Sequence, residues 1–244
     1  MITPGQLQGN LEAVKARISV SAQKTGRDQA GIRLVVVTKG HPAQTIQTLY
    51  ELGEREIGES YVEEGLEKQT KLASFANLAW HMIGHVQSRK ADAAAKQFDL
   101  IHSVDSLKLA RKLDRSAAEK GKLLPILLEC NVSGESTKFG WPAWDQVRWS
   151  SLLPEIAELL KLPNVQVNGL MCIAPYFEDG EKARPYFLRI RELRDFLAQN
   201  FPRADWSQLS MGMSGDFEAA ILEGATILRI GTAILGPRPG KSEG

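Results

Sequence analysis

Arg33-Leu34-Val35-Val36-Val37-Thr38-Lys39-Gly40 is a run of aliphatic residues that closes on a lysine, with the turn signal Gly40-His41-Pro42 directly after it. Val and Leu without polar alternation read as a strand buried on both faces, the habit of parallel sheets covered by helices. Side chains alternate along a strand, so Lys39 shares a face with Val35 and Val37. An amine at the carboxyl end of such a strand has two readings. It carries an aldehyde cofactor as a Schiff base, or its long stem lets the charged head reach water. The strand alone leaves both open.

Working outward, the same kind of segment recurs. Strand-like stretches are expected at 56–60, 79–84, 100–104, 125–132, 165–173, 206–211 and 227–235. With the Lys39 strand they make eight. Helical patterns separate them, at about 61–74, 87–97, 106–120, 143–162, 179–200 and 216–223. A further helix follows Pro42, with Ile46, Leu49, Tyr50 and Leu52 on one side. The clearest pattern places Ala183, Phe187, Ile190, Leu193 and Leu197 on one face. Pro154 is expected to split 143–162, because an interior proline removes a helix hydrogen bond.

Eight strand-then-helix units over about 210 residues predict an α/β fold, a (β/α)8 TIM-type barrel running from about 32 to 236. An extra N-terminal helix, 4–22, precedes it, with Leu7, Leu11, Val14, Ile18 and Val20 at helical spacing. A doubly wound open sheet is the alternative. Against it, no Gly-x-Gly-x-x-Gly fingerprint follows an early strand. No linker divides the chain, so a single domain is expected over 1–244, with a frayed tail at 237–244.

Composition narrows the function classes. Thirty Lys and Arg against 29 Asp and Glu leave a formal charge of +1, with no footprint for nucleic acid or an anionic membrane. No stretch approaches the roughly 18 apolar residues of a membrane span, and the first residues hold no apolar signal core. Two cysteines, Cys130 and Cys172, make no disulfide framework, so a reduced cytoplasmic protein is the expectation.

In a (β/α)8 barrel the functional groups gather at the carboxyl ends of the strands, often with a phosphate held after the seventh and eighth. Those positions hold Lys39, Glu59 with Ser60, Gly84 with His85, Asp105, Asn131, the segment 171–174, the segment 210–215, and Arg229 to Thr232. Ser210-Met211-Gly212-Met213-Ser214-Gly215 is a small-residue loop running into a helix. It reads either as an anion site or as a glycine loop with its cap. Asp216 and Glu218 in that first turn compete with an anion for the helix start. Arg229 interrupts the apolar stretch 227–235, and a buried guanidinium needs a partner. Either a carboxylate such as Glu59 or Asp105 supplies it, or a ligand's heterocyclic nitrogen does. Gly231 shares the face of Arg229 and lets a ligand approach the backbone.

Three motifs are set aside. His81-x-x-x-His85 has zinc-helix spacing but lies on a strand and loop. Gly134-Glu135-Ser136-Thr137-Lys138 lacks the phosphate-loop order. Cys130 and Cys172 read as small core residues. No metal site is expected.

The motifs then fall into a recognisable set. They are Val37-Thr38-Lys39 with Pro42, Gly58-Glu59-x-Tyr61, Trp80-His81-x-Ile83-Gly84-His85-x-Gln87-Ser88-x-Lys90, Gly169-Leu170-Met171-x-Ile173-Ala174-Pro175, Ser210-Met211-Gly212-Met213-Ser214 and Arg229-Ile230-Gly231-Thr232-Ala233-Ile234. In this order, and across nearly the whole chain, they resemble the pyridoxal phosphate homeostasis proteins. The resemblance implies a barrel like the N-terminal domain of alanine racemases, with pyridoxal 5'-phosphate (PLP) at its mouth. It implies that Lys39 forms the Schiff base, that Arg229 faces the pyridine nitrogen, and that Ser210, Ser214, Gly231 and Thr232 surround the phosphate. One departure is Ser60, where the family usually carries Asn; serine reaches less far and offers one donor rather than two.

The implied function is to hold PLP and buffer it or pass it to apo-enzymes in vitamin B6 homeostasis, without dedicated catalysis. A PLP-dependent amino-acid racemase is the alternative, and a phosphate-ligand barrel without PLP a third. Arg229 can only donate, which leaves the pyridine nitrogen unprotonated and the electron sink weak. The racemases use a second base from a further domain of the partner subunit. This chain is read as ending just after its eighth strand, so a monomer without that base is expected.

Overall fold

The strand that ends in Lys39, β1 (Arg33–Val37), is paired in parallel on both sides. Val36 lies opposite Ile57 of β2 (Glu56–Glu59), and Val35 opposite Arg229 of β9 (Ile227–Ile230). From β2 the sheet continues through β3 (Ala79–Met82), β4 (Leu100–Val104) and β5 (Leu124–Asn131). It then passes to β7 (Val165–Cys172), β8 (Gln208–Ser210) and back to β9. Pairing of β4 with β5 closes the ring, so eight parallel strands form a barrel. The ninth strand, β6 (Trp141–Pro142), is a two-residue addition beside the end of β5 that the sequence pattern did not flag. The computed structural model describes residues 2–238. The expected frayed tail lies, for 239–244, outside the described residues.

Helices cover the outside: α2 (Ala43–Glu51), α3 (Val62–Lys71), α4 (Ala91–Gln97), α5 (Leu107–Glu119), α6 (Leu153–Leu159), α7 (Arg184–Asn200) and α8 (Phe217–Leu222). Ahead of them α1 (Pro4–Lys24) starts on a capping box, in which Thr3 Oγ1 accepts from the Gln6 N–H and Gln6 Oε1 accepts from the Thr3 N–H. Leu7, Leu11, Val14 and Ile18 bury its inner face, while Val20 stands exposed, so the stripe excludes it. Pro154 sits in the first turn of α6 and follows a 3-10 stretch at Gln146–Leu152, where its missing N–H costs nothing.

One correction concerns the last segment. The sequence reads 227–235 as one strand, but β9 stops at Ile230 and Thr232–Leu235 forms a helical turn, α9. Ile234 and Leu235 are buried either way, and a short apolar run cannot distinguish strand from helix by periodicity. The chain therefore turns off at Gly231, directly after β9.

Val35, Leu100, Leu127, Met171 and Ile227 pack as a separate layer inside the ring. Gly169 lets the ring close at β7. It has φ +146, and a Cβ there would stand 1.9 Å from the Gln208 carbonyl oxygen. At the same place the β5–β7 register slips by one residue, a bulge of the kind glycine supplies.

Candidate functional site

The turn after β1 is held from behind. Thr38 is fully buried, and its hydroxyl donates to Glu59 Oε1 at 2.5 Å. Lys68 reaches in from α3 and donates to the Thr38 carbonyl (2.8 Å), Glu59 Oε1 (2.7 Å) and Glu64 Oε1 (2.7 Å). Glu64 also accepts from the Gly40 N–H at 2.6 Å. Gly40 adopts φ +74, where a side chain is strained, and the stem of Arg238 lies over it.

Lys39 therefore projects from a rigid turn. Among the described residues its amine has no hydrogen bond and no ion pair. Burial pushes its pKa below the usual lysine range, and the charges of Arg238 and Arg229 add to that; Glu59 and Glu64 oppose them. A partly desolvated amine near cations is the kind that attacks an aldehyde at neutral pH.

Arg229 is 4% exposed. Neither carboxylate expected as its partner is bound to it, since Glu59 belongs to Lys68 and Asp105 to His85. Instead its Nη1 donates to Ser210 Oγ at 2.5 Å and its Nη2 to the Cys172 carbonyl at 2.8 Å. Two of the five N–H groups of a guanidinium are thus used, and the others have no partner among the described residues. Register sets Arg229 beside Val35, one strand over from Lys39, with Gly231 beside Val37. A Cβ on Gly231 would come within 3.1 Å of the Val37 carbonyl oxygen, so glycine there lets the chain pass close against the end of β1.

The loops after β8 and β9 meet. Ser214 Oγ accepts from the Ala233 N–H at 3.1 Å, which joins Ser214 to the Gly231–Thr232 turn. Asp216 Oδ1 accepts from the Met213 N–H, and Glu218 turns away to Arg17. Asp216 thus takes one loop N–H that an anion would otherwise compete for.

Of the six candidate cofactor residues, Lys39, Arg229, Ser214, Gly231 and Thr232 come together at the mouth. Ser210 lies deeper. It is fully buried inside the ring, and its hydroxyl is engaged by Arg229 and by His102 Nδ1 (2.8 Å). The resemblance places it by a phosphate; its hydroxyl bonds the arginine and a histidine. The reason is the alternation of β8, which turns Ser210 into the barrel before the loop begins.

Two strand-end residues of the sequence reading, His85 and Asp105, pair with each other, while Phe139 and Glu129 escaped it. His85 bonds Asp105 at 3.1 Å and stacks on Phe139, ring centroids 3.8 Å apart. Glu129 on β5 keeps its Oε2 buried and without a partner among the described residues. Burial, then the charge of Asp105, raise its pKa to about 7 against the pull of Arg229. The only sequence signal was a carboxylate in an otherwise apolar strand. Cys130 and Cys172 are buried, and burial pushes Cys172 up to about 12, so neither thiol is reactive.

The Glu129 geometry makes a stability prediction. Between its ordinary pKa and about 7 the folded protein holds a proton that the unfolded chain releases, so stability falls as pH rises through that window. Glu129→Gln removes this loss. Above pH 7 the variant gains up to about 3 kcal/mol over the parent, and the gap closes toward pH 4.5. Urea unfolding at several pH values reads it; a gap independent of pH refutes it.

Comparison with known proteins bears on this site. The family model described as "Alanine racemase, N-terminal domain" matches residues 9–239. A protein of Pseudomonas aeruginosa named pyridoxal phosphate homeostasis protein is 42% identical over 230 residues, 94% of each chain. One of the same name from Aquifex aeolicus is 40% identical, covering 93% of this chain and 96% of that one. Among solved structures, PipY of Synechococcus elongatus with PLP bound superposes with a TM-score of 0.81 at 34% identity, over 94% of this chain and all of PipY. Alanine racemase of Clostridium difficile shares the fold alone, with a TM-score of 0.69 at 16% identity over 97% of this chain and 58% of that one.

Proposed function

Since the chain belongs to the pyridoxal phosphate homeostasis proteins, within the alanine racemase N-terminal domain family, we propose that it binds PLP at the carboxyl mouth of its barrel and serves vitamin B6 homeostasis. It holds the cofactor through Lys39 and buffers it or passes it to apo-enzymes. The observation that carries this reading is the unpartnered Lys39 amine, with its lowered pKa, one strand away from a buried Arg229 with free donors.

The residues fit the cofactor. Lys39 supplies the amine that tethers an aldehyde. Arg229 offers N–H groups to a ring nitrogen and has no proton to take up. Ser214, Gly231 and Thr232 lie where the loops after β8 and β9 meet, a setting of small residues for a phosphate, with Ser210 at the end of β8 beside it. When bound, PLP supplies an electrophilic aldehyde and an electron-accepting ring. A donor-only partner at the ring nitrogen keeps that acceptor weak, which supports storage and transfer over dedicated turnover. The protein works, on this reading, as a cytoplasmic monomer. No helix of the described residues is long and apolar enough to cross a membrane.

The test is direct. Protein incubated with PLP is expected to gain a visible absorbance band that borohydride reduces, and digestion then places the added mass on the peptide containing Lys39. A protein that stays colourless overturns the reading. Chiral analysis of amino acids after long incubation with the loaded protein is expected to show no dedicated racemisation; clear turnover would make it an enzyme.

A further inference from the structure

The interior of the barrel holds an unbroken row of hydrogen bonds that ends at Arg229. Arg229 Nη1 meets Ser210 Oγ at 2.5 Å, and Ser210 Oγ meets His102 Nδ1 at 2.8 Å. His102 Nε2 meets His81 Nδ1 at 2.9 Å, and His81 Nε2 meets Glu56 Oε2 at 2.5 Å. Ser210, His102 and His81 are all buried; Glu56 opens β2 at the amino end of the barrel, with its side chain 32% exposed.

One assignment of protons, inferred from the network, satisfies every contact in this row. A guanidinium only donates, so Ser210 accepts from Arg229, and in this assignment its own proton goes to His102. His102 Nδ1 is then bare. Burial, with His81 and Arg229 nearby, holds this histidine well below its ordinary pKa, so it is neutral and carries its proton on Nε2. That proton goes to His81 Nδ1. The His81 proton on Nε2 goes to the Glu56 carboxylate. Each bond runs the same way, from the cation to the anion.

We propose that Ser210, His102, His81 and Glu56 are positioning residues for Arg229, a one-way hydrogen-bond chain that aims its remaining N–H groups at the cofactor's ring nitrogen and couples them to a carboxylate at the opposite end of the barrel. This rests on the reading that PLP binds at the mouth. It explains how a cation with no carboxylate of its own stays buried: the anion reaches it through three neutral groups. The chain also fixes the orientation of Arg229, because the Ser210 oxygen that accepts from Nη1 is itself held by His102 while Nη2 is held by the Cys172 carbonyl.

The test uses full-length protein loaded with PLP isotope-labelled at the ring nitrogen. The NMR resonance of that nitrogen reports how it is hydrogen-bonded. Glu56→Gln keeps an acceptor for His81 but removes the charge, far from the cofactor. It is expected to shift the resonance while leaving the melting temperature close to that of the parent. Ser210→Ala and His102→Phe cut the chain. They are expected to shift the resonance further and to release PLP about tenfold faster, with Ser210→Thr restoring both. An unmoved resonance in Glu56→Gln together with unchanged release in Ser210→Ala reduces the chain to ordinary packing and overturns the proposal. Should the interior variants fail to fold, Glu56→Gln decides alone. A parent protein that takes up no labelled PLP is a different failure, visible before any variant is made, and it removes the function and this proposal together.

Discussion

Lys39→Ala abolishes the covalent PLP adduct while the barrel stays folded, and the visible, borohydride-fixable band falls to baseline. The turn that carries Lys39 is held by Thr38, Glu59, Glu64 and Lys68, none of which contacts its amine, so truncation leaves the support intact. Lys68 cannot substitute, because its ammonium is bound to three oxygens. Lys39→Arg behaves like the alanine variant, since a guanidinium stays protonated and does not attack the aldehyde.

Stability changes in the opposite direction. Lys39 has a folded pKa below that of the unfolded chain, so below that window its buried charge costs stability, and the cost disappears as pH rises through it. The Lys39→Ala protein without PLP is therefore at least as stable as the parent at neutral pH, and its advantage shrinks in alkali. Thermal unfolding across that range reads the trend. A destabilised alanine variant, or a reducible adduct at the same site without Lys39, would refute the assignment of the tether.

The barrel was legible because its strands are buried on both faces, which writes them as aliphatic runs without alternation. Lys39 and Arg229 stood out for the same reason, as single charges in such runs. The interior chain was not legible. His81 was weighed only against His85 as a metal spacing, and nothing in spacing brings residues 81, 102 and 210 to one line; only barrel closure does. The contacts of Ser210 with Arg229 and His102 were not legible because a loop motif was read as a unit, whereas its first residue is still strand. The turn at Thr232–Leu235 was hidden by residues that are equally apolar in strand or helix.

Lys68→Met is expected to cost about 3–5 kcal/mol, because it strands a carboxylate that has no access to water. Glu59 is 0% exposed and its Oε2 already lacks a partner; burial has raised its pKa, and Lys68 is the largest influence holding it down. Removing the ammonium leaves Glu59 with only the Thr38 hydroxyl. The penalty is largest where Glu59 must be ionised and declines in acid, where it takes up a proton instead. Adding Glu59→Leu to Lys68→Met removes the stranded charge, so the double variant is more stable than the Lys68 single variant. The two substitutions are non-additive by well over 1 kcal/mol, as contacting charges are. Stability recovers in the double variant further than cofactor retention does. The Thr38 carbonyl has then lost the Lys68 N–H, and Glu64, which holds the Gly40 N–H, has lost its cation. The turn loosens and Lys39 with it. A denaturation cycle over the four proteins, run beside PLP release rates, separates the two effects. Additive stabilities, or release rates that track stability one for one, would show the cluster to be scaffold without influence on the tether.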